Sequence, residues 1–88
     1  MTYDIYAAFG NEVRAKLILC LAKKAKNVTE LIKTCSLSQS AVSQHLHKLK
    51  QSGIVKTKKE GKTVWYSLSN KKAVDISTLL VQLSKEVR

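Results

Sequence analysis

The 88-residue sequence contains no proline and only three glycines. Collagen-like, proline-rich and flexible-linker architectures are thereby excluded, since each needs those residues in quantity. Two cysteines, Cys20 and Cys35, are too few for a disulfide framework in a chain of this size, and their spacing matches no zinc pattern. A reducing cytoplasm is the default expectation. No apolar run approaches the roughly 20 residues of a membrane span. The first ten residues hold Asp4 but no Lys or Arg, unlike the basic start of a signal peptide. Acids are also scarce. Six Asp and Glu against sixteen Lys and Arg leave a net charge of +10, which points to a polyanionic partner. Catalytic signatures are missing as well: no glycine-rich phosphate loop, nucleophile elbow, HExxH or convergent carboxylate pair. The expectation is therefore not an enzyme, with no cofactor and no resident metal.

What is present suits one small domain over residues 1–88. The 44% hydrophobic fraction allows a modest core, but a domain this small hides only about 60% of its unfolded surface. A second copy of the chain would help, so spare apolar faces are of interest. Residues 3–9 carry Tyr3, Tyr6, Ala7 and Phe9 at helical spacing, and Gly10 ends the segment. Asn11 is a good N-cap for a helix over 12–24, whose stripe is Val13, Leu17, Ile18 and Leu21. Asn27 caps a short helix to about Thr34, with Glu30 placed as in a capping box and Val28, Leu31, Ile32 and Cys35 as apolar positions. Ser38 caps a helix over 39–51 with Val42, Leu46 and Leu49 inward, ended by Ser52-Gly53.

The period then changes. Residues 54–58 and 63–68 are β-branched and aromatic, separated by Lys59-Glu60-Gly61-Lys62, and read as a hairpin. Trp65 and Tyr66 alternate, so one is expected to face the core and the other the surface. The last helix, 71–87, shows Ile76, Leu80, Leu83 and Val87 at i, i+4, i+7 and i+11, widened by Val74, Leu79 and Val81. The order is α-α-α-α-β-β-α: mainly α with a small β-hairpin. Two short helices joined by a tight turn and followed by a two-stranded ribbon describe a winged helix-turn-helix.

Two surfaces carry candidate chemistry. The fourth helix offers Gln39, Ser40, Ser43 and Gln44 near its start, residue types that reach base edges and phosphates in a major groove, with His47 and Lys48 further along. An ordinary amphipathic helix is also polar outside. However, Lys33 to Lys59 contains six lysines and no acid, and a merely solvated face is rarely so one-signed. The hairpin tip, with Lys58, Lys59, Lys62 and Thr63, would meet backbone phosphate or the minor groove. Alternatively, its lysines only discourage edge pairing. His45 and His47 do not share a helix face, so they form no metal pair. His45 flanks the buried stripe and reads as a packed, hydrogen-bonded histidine. Cys20 and Cys35 invite a redox reading. Against it, Cys35 occupies an apolar position and free cysteine is commonly a small buried hydrophobe.

The run Phe9-Gly-Asn-Glu-Val-Arg-Ala-Lys-Leu-Ile-Leu resembles the L-x-D-P-T-R-L-x-I-L opening of ArsR/SmtB-type repressors. Leu37-Ser-Gln-Ser-Ala-Val-Ser-Gln-His-Leu46 is similar to their recognition helix, L-S-Q-S-x-V-S-x-H-L. Gly53-Ile-Val and Gly61-Lys-Thr-Val-Trp-Tyr-Ser-Leu68 resemble their wing. The resemblance implies a homodimer built from the first and last helices (Tyr3, Tyr6, Ile76, Leu80, Leu83, Val87) on a palindromic double-stranded operator. It also implies base and backbone contacts at Gln39, Ser40, Ser43 and Gln44.

The family's inducer sites are not intact here. The third helix has no thiol pair, Asp75 has no histidine after it, and no cysteine follows Cys35 to match those of persulfide-sensing relatives. No zinc, nickel, cadmium or arsenite response is expected. Two rival readings stay open: a non-specific architectural nucleic-acid-binding protein, and a winged-helix protein-interaction module.

Overall fold

The computed structural model describes residues 4–87; Tyr3 lies outside the described residues. Seven elements follow the expected order: α1 (Ile5–Phe9), α2 (Glu12–Cys20), α3 (Val28–Cys35), α4 (Gln39–Gln51), β1 (Val55–Glu60), β2 (Thr63–Leu68) and α5 (Lys72–Glu86). Side-chain caps set most helix starts. The Asn11 carboxamide accepts from the backbone of Val13 and Arg14 at 2.8 and 3.2 Å. Asn27 and Glu30 form a reciprocal capping box, at 2.9 Å from the Glu30 N–H and 3.2 Å from the Asn27 N–H. The Ser38 hydroxyl accepts from the Ala41 N–H at 3.2 Å. Each satisfies a donor that the first helical turn otherwise leaves free.

Leu17, Ile18, Leu31, Val42, Leu46 and Leu49 form the centre of the core and are almost wholly buried. They come from α2, α3 and α4, so the helix-turn-helix unit is packed against α2 by its own apolar stripe. α5 lies on α2 through the small buried residues Ala73 and Ser77.

Two boundaries differ clearly from expectation. α2 stops at Cys20 rather than Lys24. Beyond Leu21 the chain offers no wide apolar stripe, and Lys26 is held elsewhere: its N–H donates to the Tyr66 carbonyl at 2.9 Å and its carbonyl accepts from the Tyr66 N–H at 2.8 Å. The α2–α3 connection is thus pinned beside the wing, and the Lys26 ammonium bonds the Cys20 carbonyl at the end of α2.

β1 runs on to Glu60, so Lys58 and Lys59 lie on a strand and not in the turn. The register pairs Glu60 with Thr63 and leaves the two-residue turn Gly61-Lys62. Gly61, at φ +60°, takes the first turn position as a type II′ hairpin demands. Of the adjacent pair Trp65 and Tyr66, Tyr66 is the one on the core side. Both are half-buried, and Tyr66 packs on the core from a sheet of only two strands.

Candidate nucleic-acid interface

α4 has two chemically distinct sides. Val42, Leu46 and Leu49 are buried, and Gln39, Ser40, Ser43, Gln44, His47 and Lys48 are all exposed. The buried side anchors the helix, so the polar side is presented on a rigid support. The turn before it is tight: Ser36 takes the left-handed conformation at φ 54°, a sparsely populated state for a residue with a Cβ. The Leu37 N–H returns to the Ile32 carbonyl at 3.4 Å. No acid stands in the first turn of α4, so its positive dipole end and its free N–H groups face outward without a neutralising carboxylate.

The wing projects a second basic surface. Lys58, Lys59 and Lys62 are exposed and Thr63 is half-buried. The three lysines are not equivalent. Lys58 is 3.5 Å from Glu60 in an exposed pair, whereas Lys62 stands in the turn itself. Such a pair is worth little in stability, but it dilutes the local charge that a phosphate would meet.

A residue outside both surfaces enters the geometry. Arg14, on α2, donates from Nε to the Ala7 carbonyl at 2.9 Å and from a terminal nitrogen to His45 Nδ1 at 3.2 Å. Arginine can only donate, so Nδ1 is the acceptor and the neutral His45 ring carries its proton on Nε2. Partial burial of His45, reinforced by the Arg14 charge, holds its pKa below the usual histidine value. Arg14, Ser43, Gln44, His45, His47 and Lys48 line one open groove beside the polar side of α4. The motif at residues 9–19 marked Arg14 as part of the resemblance, but periodicity alone assigned it no partner.

The two cysteines also change status. Each ends a helix, Cys20 closing α2 and Cys35 closing α3, and they are joined in a disulfide with Cα atoms 6.8 Å apart. Both are half-buried against the core. The reading of Cys35 as an isolated apolar filler is corrected: its packing position is also a bonding position, because α3 brings its last residue back to the end of α2. Among the described residues, no group of three or more His, Cys, Asp or Glu is placed to hold a metal ion.

Residues 11–57, which include α2, α3 and α4, match the profile of the family described as "Bacterial regulatory protein, arsR family". The chain belongs to the ArsR family of DNA-binding transcriptional regulators.

Among similar ArsR-family proteins is the transcriptional activator HlyU of Vibrio cholerae, 41% identical over 76 residues, which span 86% of this chain and 70% of HlyU. The transcriptional repressor PagR of Bacillus anthracis is 36% identical over 78 residues, 88% of this chain and 78% of PagR. The solved structure of HlyU from V. cholerae N16961 superposes with a TM-score of 0.75 at 39% identity, covering 90% of this chain and 86% of that one. The winged helix-turn-helix architecture is therefore shared by experimentally determined relatives, and ArsR-family regulators act by binding DNA and not by catalysis.

Proposed function

We propose that this ArsR-family chain is a cytoplasmic homodimeric repressor that reads an imperfect palindrome in double-stranded DNA. The observation that carries the reading is α4: an exposed Gln39, Ser40, Ser43 and Gln44 front, fixed from behind by Val42, Leu46 and Leu49, inside a stretch with no acid from Lys33 to Lys59. Lysines supply a salt-sensitive, sequence-independent attraction. The two recognition helices enter successive major grooves about one helical turn apart, and Lys59, Lys62 and Thr63 follow the flanking backbone.

The dimer reading is supported by an uncovered apolar face. Leu79 and Leu83 on α5 and Val87, which caps it, are 65, 54 and 75% exposed, and Tyr6 on α1 is 89% exposed; Ile5, Ile76 and Leu80 are exposed as well. Exposed apolar side chains repeated along one helix of a small domain mark an association surface. Phe9, Ala15, Leu80 and Val81 line a depression. Repression, and not activation, follows from the simplest use of such a dimer: occupancy of a promoter.

The Cys20–Cys35 pair supports a thiol response of this regulator. Two thiols exchanging with a small-molecule disulfide give the protein disulfide and two released thiols, which balances without a metal. The bond ties the end of α2 to the residue before the α3–α4 turn, so its state bears on how firmly the reading unit is held.

Fluorescence anisotropy tests the reading, using the duplex upstream of the chain's own gene, a scrambled duplex and a salt series. Preference for the native duplex by about 10³ or more supports the specific repressor. Equal and steeply salt-dependent binding to both favours the architectural alternative. No binding at low salt favours the protein-interaction module.

A further inference from the structure

Of the sixteen cationic side chains, only Arg14 and Arg88 are arginine. Arg14 belongs to α2, and not to the recognition helix or the wing. It is half-buried on α2 and forms no ion pair with a carboxylate among the described residues. A half-buried guanidinium without an acid partner needs an explanation, since charge removed from water is ordinarily paired. Two of its five N–H donors are engaged, one by the Ala7 carbonyl and one by His45 Nδ1. Three remain without a partner among the described residues, and the group lines the groove shared with Ser43, Gln44, His47 and Lys48.

We infer that Arg14 is a DNA-phosphate contact outside both the recognition helix and the wing, aimed by Ala7 and His45. A planar fork held by two hydrogen bonds has lost its rotamer freedom before DNA arrives. The ordering cost of binding is lower than for a free surface lysine. Its remaining donors match the paired oxygens of a backbone phosphate. The site also places a charge from the scaffold helix α2 beside Ser43 and Gln44, so the register of α4 on the duplex is set from behind as well as from its front. His45 contributes as a positioning residue: with its proton on Nε2, it offers Nδ1 to the guanidinium and leaves the fork facing outward.

This inference rests on the DNA-binding reading but not on sequence specificity, because backbone contacts persist on a scrambled duplex. The test is the salt slope of binding to that duplex. Each phosphate contact contributes about 0.9 to the slope of log K against log salt. Arg14→Gln is expected to flatten the slope by about that amount per protomer, and to weaken the native and scrambled duplexes by the same factor. Arg14→Lys keeps the charge and is expected to keep the slope. Lys16→Gln, two residues along α2 and so on nearly its opposite side, serves as the control and is expected to leave the slope unchanged. Weaker binding by Arg14→Gln at the wild-type slope would reduce Arg14 to a structural role and overturn the inference.

A wild-type measurement covers the case in which Arg14→Gln fails to fold. Phenylglyoxal modification of Arg14, mapped by peptide mass with and without the scrambled duplex, is expected to show protection by DNA. Absence of protection overturns the inference. Equal protection by inorganic phosphate at matched ionic strength reassigns the seat to a small anion. Wild-type protein that binds neither duplex overturns the DNA reading and this inference together.

Discussion

α4 and α5 are of similar length, 13 and 15 residues, and each leaves one side uncovered. The uncovered side of α4 is glutamine, serine, histidine and lysine; the exposed apolar side chains of α5 are Ile76, Leu79, Leu80 and Leu83. Their buried sides are reversed in the same way. α4 buries Val42, Leu46 and Leu49, whereas α5 buries only Ala73 and the hydroxyl-bearing Ser77. α4 is thus held tightly by its own chain and offers a polar front. α5 sits on α2 through small residues and holds its large apolar side chains outward. Exposure alone does not separate these helices; the chemistry of what is exposed does. One surface suits a hydrated polyanion, and the other suits a second apolar surface.

The largest expected effect comes from removing the apolar character of α5. Leu83→Asp should leave the protomer folded, since Leu83 is 54% exposed already, but split the proposed dimer. Losing the second half-site contact should weaken operator binding by about 10²–10⁴. Sedimentation velocity and anisotropy on one sample check both halves of that statement, and a variant that stays dimeric would remove α5 from the interface.

Next in size is reduction of the Cys20–Cys35 bond, which closes a sequence separation of 15 residues. Loop-closure entropy predicts a stability loss of about 3 kcal/mol. Urea denaturation followed by the single tryptophan, Trp65 in the wing, with and without reductant, measures it. Coincident curves would show that the bond does not constrain the unfolded chain.

The polar front of α4 is probed by a smaller change. Gln44→Ala should lower discrimination between operator and scrambled DNA by about 1–3 kcal/mol if a bidentate base contact is removed. Lys62→Ala, by contrast, should weaken both duplexes alike. If the glutamine variant behaves as the lysine variant does, the reading face is elsewhere on the helix.

The smallest effect concerns pH. Burial and then the Arg14 charge lower the His45 pKa from 6.5 in the folded state. The unfolded chain therefore binds the His45 proton more readily, and stability rises with pH through this window. The His45 contribution is complete above 6.5 and is lost as pH falls through the lower folded value. Urea midpoints at a series of pH values should fall on acidification for the wild type and fall less for His45→Gln.

Much of the reading unit was legible from residue order. Ser38 before Gln39, and Val42, Leu46 and Leu49 at i, i+4 and i+7, place α4 to the residue. Asn27 with Glu30 announces the capping box at the start of α3. These signals are local: a cap acts within three residues, and a helix stripe repeats every turn. The end of α2 was not legible. Lysine and alanine after Leu21 are good helix formers, and only the backbone pairing of Lys26 with Tyr66 shows why the helix stops. The length of β1 was missed for a related reason, because the register of the hairpin and not composition assigns Lys59 and Glu60 to the strand.

Residue order by itself determined the sequence of elements, the two sides of α4, the excess of positive charge and the family resemblance. All of these are carried by neighbours along the chain or by bulk composition. The tertiary structure alone decided that Cys35 meets Cys20, that Arg14 meets His45 across 31 residues, and that the apolar stripe of α5 points away from its own core. Those outcomes depend on where helices lie relative to one another, which is set by packing the whole core at once. No local period encodes it.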